Sequence, residues 1–253
     1  LRDYIGKKPL FIVYSNNVSF IVSELKAVDF IDDFQIVPKG FSVLKNGKIN
    51  LLEKHKVPFT SKNALKETLV EAVKKRIPKN EKKFGVFLSG GLDSSIIASI
   101  VAKYADNVIY YTLGNTEDLS YVNLLAKQLG IKIKNIELPK SIELSELIDK
   151  VVYHTESYNP SIISNGLATY LLSTEAHKDN LKVVLSGEGA DELFCGYSIS
   201  KNVKEWFEKR AELIENIHFT ELRRLDLSSM AHTIEIRCPF LDRKVYSVSN
   251  DCI

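Results

Sequence analysis

Apolar and polar positions follow two different rhythms along this chain. In the first fifty residues the apolar runs are short and bounded by turn formers. Leu10-Phe11-Ile12-Val13-Tyr14 and Val18-Ser19-Phe20-Ile21-Val22 flank Ser15-Asn16-Asn17, which predicts a β-hairpin. Residues 34–37 and 41–44 flank Pro38-Lys39-Gly40, and Asn46-Gly47 marks a further turn. These short antiparallel strands are too small to bury a core alone, so they are expected to pack on the remainder of the chain.

Thr60 or Ser61 can cap a helix over residues 62–76, with Leu65, Leu69, Ala72 and Val73 as its apolar stripe and Pro78 as its stop. Strands and helices then alternate. Strands are predicted over 84–88, 108–113, 131–138 and 182–185. Helices are predicted over 92–104, 118–129 (stopped by Gly130), 143–156 and 163–178. Beyond Gly196 the chain reads as helical, with a break before Pro239. Such a βαβ series implies an α/β fold, a parallel sheet with helices on both faces, beside the small N-terminal antiparallel β region. Two units are expected, a β-rich one over 1–57 and an α/β one over 58–253.

Composition narrows the function classes. The 253 residues suffice for one large domain, or one plus a small companion. No apolar run approaches the roughly 20 residues of a membrane span, and no signal region opens the chain. A cytoplasmic protein with no membrane partner is the expectation. The net charge is +2 with both signs mixed, which gives no footprint for nucleic acid. The basic stretch over 74–83 reads as a solvated helix end and linker. Cys195, Cys238 and Cys252 form no Cys-x-x-Cys pair, and the five histidines show no ligand spacing, so neither a disulfide framework nor a zinc site is indicated.

Two loops carry candidate chemistry. Ser89-Gly90-Gly91-Leu92-Asp93-Ser94-Ser95 joins a predicted buried strand to a predicted helix. A helix N-terminus presents unpaired N–H groups and partial positive charge, which attract phosphate. Gly90 and Gly91 let the backbone approach the oxygens, and Ser89, Ser94 and Ser95 add hydroxyl donors. Asp93 repels bare phosphate, so its presence makes sense with Mg²⁺ between the two. The loop is neither a Walker loop nor a Gly-x-Gly-x-x-Gly loop, which disfavours kinases and dehydrogenases. The second loop, Ser186-Gly187-Glu188-Gly189-Ala190-Asp191-Glu192, comes after another predicted buried strand. In a parallel sheet both loops leave the carboxyl ends of their strands and line one edge. Asp191 can then share the Mg²⁺ with Asp93, and Glu188 can act as a base or orient an amine.

Together the two loops resemble the synthetase half of glutamine-dependent asparagine synthetases, whose ATP site is of the ATP-pyrophosphatase type. A third segment, Met230 and then Glu235-Ile236-Arg237-Cys238-Pro239-Phe240-Leu241-Asp242, is similar to the family's Glu-x-Arg-x-Pro-Phe-Leu-Asp stretch, and Asp226 also fits. The resemblance spans roughly residues 60–250. Arg2-Asp3-Tyr4-Ile5-Gly6-Lys7-Lys8-Pro9-Leu10 and Ser23-Glu24-Leu25-Lys26-Ala27 look like the closing strands of the family's glutaminase domain, and Pro38-Lys39-Gly40 fits its next turn. It implies an adenine nucleotide alpha hydrolase-like fold. Leu88 and Leu113 are implied at the adenine ring. Ser89, Gly90, Gly91, Asp93, Ser94 and Ser95 are implied at the pyrophosphate, and Ser186 and Gly187 at a further ATP contact. Asp93 and Asp191 are implied as Mg²⁺ carboxylates and Glu188 as the acid/base. The implied reaction adenylates a small-molecule carboxylate, aspartate in the family, and then forms an amide with ammonia.

Departures temper that implication. Residue 1 is Leu1, where the family's glutaminase has its cysteine nucleophile, so ammonia is expected to come free or from a separate glutaminase subunit. Asn159 and Ser164 stand where the family has a carboxylate and an arginine, which puts the aspartate acceptor in question. The sequence ends at Ile253, ahead of a family lysine for which Lys244 is a weak substitute. A non-catalytic or partner-completed ATP-binding subunit is therefore the alternative expectation. A GMP or NAD synthetase is the third, and the Pro-Phe-Leu-Asp segment speaks against it.

Overall fold

The computed structural model describes residues 1–45, 47–54, 65–114, 118–139, 141–197 and 203–250. The N-terminal region folds as expected of short strands, but into two sheets. Strands β1 (Phe11–Ser15), β2 (Val18–Val22) and β3 (Asp33–Ile36) form one sheet in the order β2-β1-β3. Strands β4 (Phe41–Lys45) and β5 (Lys48–Glu53) form the other. The first hairpin has Asn16 and Asn17 at φ 47° and 64°, a two-residue loop whose left-handed pair matches the twist of the strands. Asn46 and the capping residues Thr60 and Ser61 lie outside the described residues.

Helix α1 (Leu65–Arg76) precedes the main sheet. Next come β6 (Phe84–Phe87), α2 (Leu92–Tyr104), β7 (Val108–Leu113), α3 (Leu119–Leu129) and β8 (Ile133–Ile136). Two long helices, α4 (Ser141–Thr155) and α5 (Pro160–Lys178), lead back to β9 (Val183–Leu185). Helices α6 (Ala190–Phe194), α7 (Val203–Asn216) and α8 (Glu221–Met230) come after it, then β10 (Glu235–Arg237) and α9 (Arg243–Ser249). The sheet is parallel throughout, in the order β10-β9-β6-β7-β8.

That order explains where a ligand can go. The chain builds outward from β6 to β8, then returns to the other side of β6 at β9. Right-handed crossovers then put the two sets of helices on opposite faces. Helices α1, α2, α3 and α9 pack in one group, and α4, α5 and α8 in the other. The loops after β6 and β9 diverge from adjacent strands, leaving a crevice at this switch point. Beneath it Val86, Ile97, Tyr111, Val184 and Leu185 are fully buried.

One element departs from the sequence expectation. The stretch before Pro239, expected to be helical up to a break, contains β10, a parallel edge strand. Glu235 N donates to Lys182 O at 2.8 Å and Ser186 N to Arg237 O at 3.0 Å. Three residues are too few to show a strand period, and pairing with β9 decides their conformation.

The N-terminal strands are stitched to the α/β layer. Tyr4 OH donates to Leu241 O, Lys7 Nζ to Ile236 O, and Lys8 Nζ pairs with Asp226. The buried Arg2 guanidinium donates to the carbonyls of Val37 (3.0 Å), Gly6 (3.1 Å) and Lys8 (3.1 Å). No helix among the described residues is long and apolar enough to cross a membrane.

Candidate active site

The turn after β6 is organised by its own hydroxyls. Ser94 Oγ accepts from Ser89 N at 3.1 Å and donates to Gly91 O at 3.1 Å, and the Ser89 and Ser94 hydroxyls lie 3.0 Å apart. Ser95 N makes an early bond of α2, to Gly91 O at 3.1 Å. Gly90 has φ 93°, and a Cβ there would meet Asp118 O at 2.7 Å. Its glycine is thus required by packing on the start of α3, not only by ligand approach.

The second loop lies against the first. A Cβ on Gly187 would come within 2.7 Å of Ser94 N and 2.8 Å of the Asp93 carbonyl carbon. Gly189, at φ 95°, sits under Leu241, so the third sequence segment supports the second loop from behind. Asp242 caps α9 through Lys244 N at 3.0 Å and pairs with Arg76 at 2.9 Å. That segment is therefore a brace between the sheet edge and α1.

Leu88, Ser89, Asp93, Ser94, Leu113, Ser186, Gly187, Glu188 and Asp191 all line one cleft of about 370 Å³. Gly90, Gly91 and Ser95 shape the loop from outside that lining. Lys244 is not among the lining residues and stands with Glu67, Glu71 and Lys75 around a different depression. Asn159 caps α5, accepting from Ser161 N at 3.0 Å, and Ser164 is exposed outside the cleft lining, whereas its neighbour Asn165 lines it.

Electrostatics in the cleft favour a cation. Burial, then the charge of Asp191, raises Asp93 to a pKa of about 6. Burial and Glu221 raise Asp191. Burial also raises Glu188, against the opposing pull of Arg224. Glu192, also lining the cleft, is lifted to about 7 by burial although Tyr197 OH donates to it at 2.7 Å. These carboxylates confront one lining guanidinium, that of Arg224. It donates to Glu188 Oε1 at 2.8 Å and through Nε to Glu221 Oε2 at 2.7 Å. Arg224 is not among the residues that the sequence points to. Helix α8 carries it two residues before Asp226, and nothing in a polar helix marks an arginine as buried.

The residues present suit Mg²⁺ and a nucleotide. Hard carboxylate oxygens from Asp93 and Asp191 are the donors Mg²⁺ prefers, and Mg²⁺ characteristically takes only one or two of them alongside phosphate. No group of three or more metal-ligating side chains occurs among the described residues, and a metal held partly by phosphate needs none. Ser89, Asp93 and Ser94, at the α2 N-terminus, line the cleft, where the end of a helix favours negative charge.

Comparison with known proteins gives concordant results. The asparagine synthase family model matches residues 64–215 and 208–251. Asparagine synthetase B (glutamine-hydrolysing) of Escherichia coli is 30% identical over 278 residues, covering 98% of this chain and 50% of that protein. A glutamine-hydrolysing asparagine synthetase of Lotus japonicus is 31% identical over 274 residues, covering 98% and 46%. A Methanocaldococcus jannaschii protein, provisionally named as the same enzyme, is 32% identical over 289 residues, covering 98% and 52%. The chain thus spans about half the length of the curated relatives it matches. Among solved structures, an NMN synthetase from Francisella tularensis aligns at TM-score 0.39 and 16% identity, over 75% of this chain and 94% of that one, a distant likeness only.

Proposed function

The chain belongs to the asparagine synthase family, and from that premise we propose that it is an ATP-dependent, amide-forming synthetase that activates a carboxylate by adenylation. The observation that carries this reading is the meeting of the Ser89–Ser95 and Ser186–Glu192 loops at one switch point, with Gly187 seated on Ser94.

The chemistry balances in two steps. A substrate carboxylate oxygen attacks the α-phosphorus of ATP, giving an acyl-adenylate and pyrophosphate. Ammonia then attacks the acyl carbon, AMP leaves, and one proton is released to form the amide. The hydroxyls of Ser89 and Ser94 and the N–H groups at the α2 N-terminus hold the phosphates. Leu88, Leu113 and Leu172 enclose the base. Ser186 and Gly187 bound the middle of the nucleotide. Asp93 and Asp191 would hold Mg²⁺, which neutralises phosphate charge when bound. Glu188, aimed by Arg224, takes the proton from the attacking amine.

Aspartate is the first acceptor to test, because the relatives are named asparagine synthetases. Nitrogen enters as ammonia, free or passed from a glutaminase unit of the kind those names describe. Cys195 and Cys238 are buried, which suits neither to act as a nucleophile on glutamine. Pyrophosphate release from ATP, measured with ammonium and a panel of carboxylates, tests the proposal. Carboxylate-dependent release is expected. ATP binding without release for any acceptor, with or without a glutaminase unit, contradicts it and favours a nucleotide-binding subunit.

A further inference from the structure

Away from the cleft, a pocket of about 470 Å³ lies at the seam between the N-terminal strands and the helical layer. Ile36, Val37 and Leu51 line it from the N-terminal side, and Ile214 of α7 and Tyr246 of α9 from the other. Seams of this kind are favoured places for ligand pockets, and this one has an apolar wall. His218, in the turn between α7 and α8, gives it a polar group. None of these residues lines the nucleotide cleft.

Neighbouring groups fix what His218 can do. A guanidinium nitrogen of Arg2 lies 3.3 Å from its Nδ1. A guanidinium only donates, so Nδ1 accepts, and the proton of the neutral ring sits on Nε2. Burial, then the charges of Arg2 and Lys39, push the imidazole pKa down to about 4, so the ring is neutral at pH 7. Gly6 packs on the pair: a Cβ there would meet His218 Cβ at 3.0 Å and Arg2 Cζ at 3.2 Å. Nε2 is thus a donor of fixed direction. The ring is 7% exposed, and Nε2 has no partner among the described residues. Yet Nε2 is not one of the polar atoms sealed away from solvent. A reachable donor in a largely buried, apolar setting calls for an acceptor from outside.

Charge selects that acceptor. Arg2, Lys39 and Lys54 line the pocket against one acid, Glu215, which is 2.9 Å from Lys39 Nζ. The surplus favours an anion and repels an ammonium. Phosphate, polar all round, leaves the apolar wall uncovered.

We propose that this pocket binds a small molecule with one carboxylate and a short branched hydrocarbon tail. The carboxylate accepts from His218 Nε2, and the tail covers Ile36, Val37 and Leu51. Ligand-observed NMR titration with isovalerate, its neutral amide isovaleramide and the amine isopentylamine tests this on wild type, His218→Asn and Leu51→Trp. Asparagine keeps an acceptor for Arg2 in place of Nδ1 but lacks the Nε2 donor. Leu51 is 37% exposed, so tryptophan there can fill the pocket from its open side without disturbing a packed core. Wild type should bind isovalerate at about millimolar strength, the amide about tenfold more weakly and the amine not at all. His218→Asn should bind isovalerate about tenfold more weakly than wild type, the scale of one charge-assisted hydrogen bond. Leu51→Trp should lose binding outright. Absence of isovalerate binding by wild type, or equal binding of isovalerate and the amine, would overturn the inference. Undiminished affinity in a folded His218→Asn would do the same. Unchanged affinity in Leu51→Trp would place the probe elsewhere on the protein and overturn the inference whether or not His218→Asn folds.

Discussion

At the start of α2, Asp93 stands half-buried beside Asp191, which together lift its pKa from 3.8 to about 6. Between those values the folded state binds the extra proton, so stability falls as pH rises through that window. At pH 7 the ionised Asp93 costs about 1 kcal/mol once solvent screening is allowed for. Asp93→Asn should therefore melt slightly higher than wild type at pH 7 without ligand, with the gain fading below pH 4. The same change should weaken Mg²⁺–ATP binding at least tenfold. Wild-type affinity should fall as pH drops through about 6, whereas the variant's should lack that component. Calorimetry and thermal melts at pH 5 and pH 7 check both halves. Glu188→Gln keeps the Arg224–Glu221 pair, so ATP affinity should stay within about twofold while turnover falls roughly 100-fold or more. At this scale the sequence shows residues that sit in glycine and serine loops, because the loop itself announces them. Arg224 is invisible there, since its meaning lies in burial and in partners distant along the chain such as Glu188.

Among elements, the contact between the loops after β6 and β9 decides whether a cradle exists. Gly187→Ala drives a methyl against the Ser94 and Asp93 backbone, which cannot swing aside as a side-chain tip can. The expected result is a loss of about 1–3 kcal/mol in stability together with a tenfold or greater loss of ATP affinity. Gly130→Ala is the control. Gly130 caps α3 at φ 67° with open space around it, so the change should cost about 1 kcal/mol and leave ATP binding unchanged. Denaturant unfolding and nucleotide titration separate the two. The helices α2, α3 and α5 and the strands β6, β7 and β9 are legible in the sequence because buried parallel strands read as apolar runs between amphipathic helices. Strand β10 is not. Glu235-Ile236-Arg237 has one buried residue between two more exposed ones, a pattern too short to distinguish strand from turn.

For the whole molecule, the N-terminal strands act as a collar held to the α/β layer by polar stitches. Within the N-terminal region Arg2 is buried, and Arg2→Ala would strand the carbonyls of Gly6, Lys8 and Val37. A loss of about 3 kcal/mol and a drop of roughly 5–10 °C in Tm are expected, read by thermal melting. Phe20, Ile21, Phe30 and Leu52 in this region are exposed. The change from short antiparallel strands to a parallel sheet is readable from the change in hydrophobic rhythm, but the polar contacts between them are not, because Lys7 and Lys8 look like ordinary surface charges. Above all these scales stands the claim that a carboxylate is activated by adenylation. The most direct measurement supplies the acceptor with ¹⁸O in its carboxylate, together with ATP, Mg²⁺ and ammonium, and weighs the nucleotide product by mass spectrometry. The account predicts AMP carrying one ¹⁸O atom, in step with amide formation. ADP as the product, or AMP without the label, would contradict it.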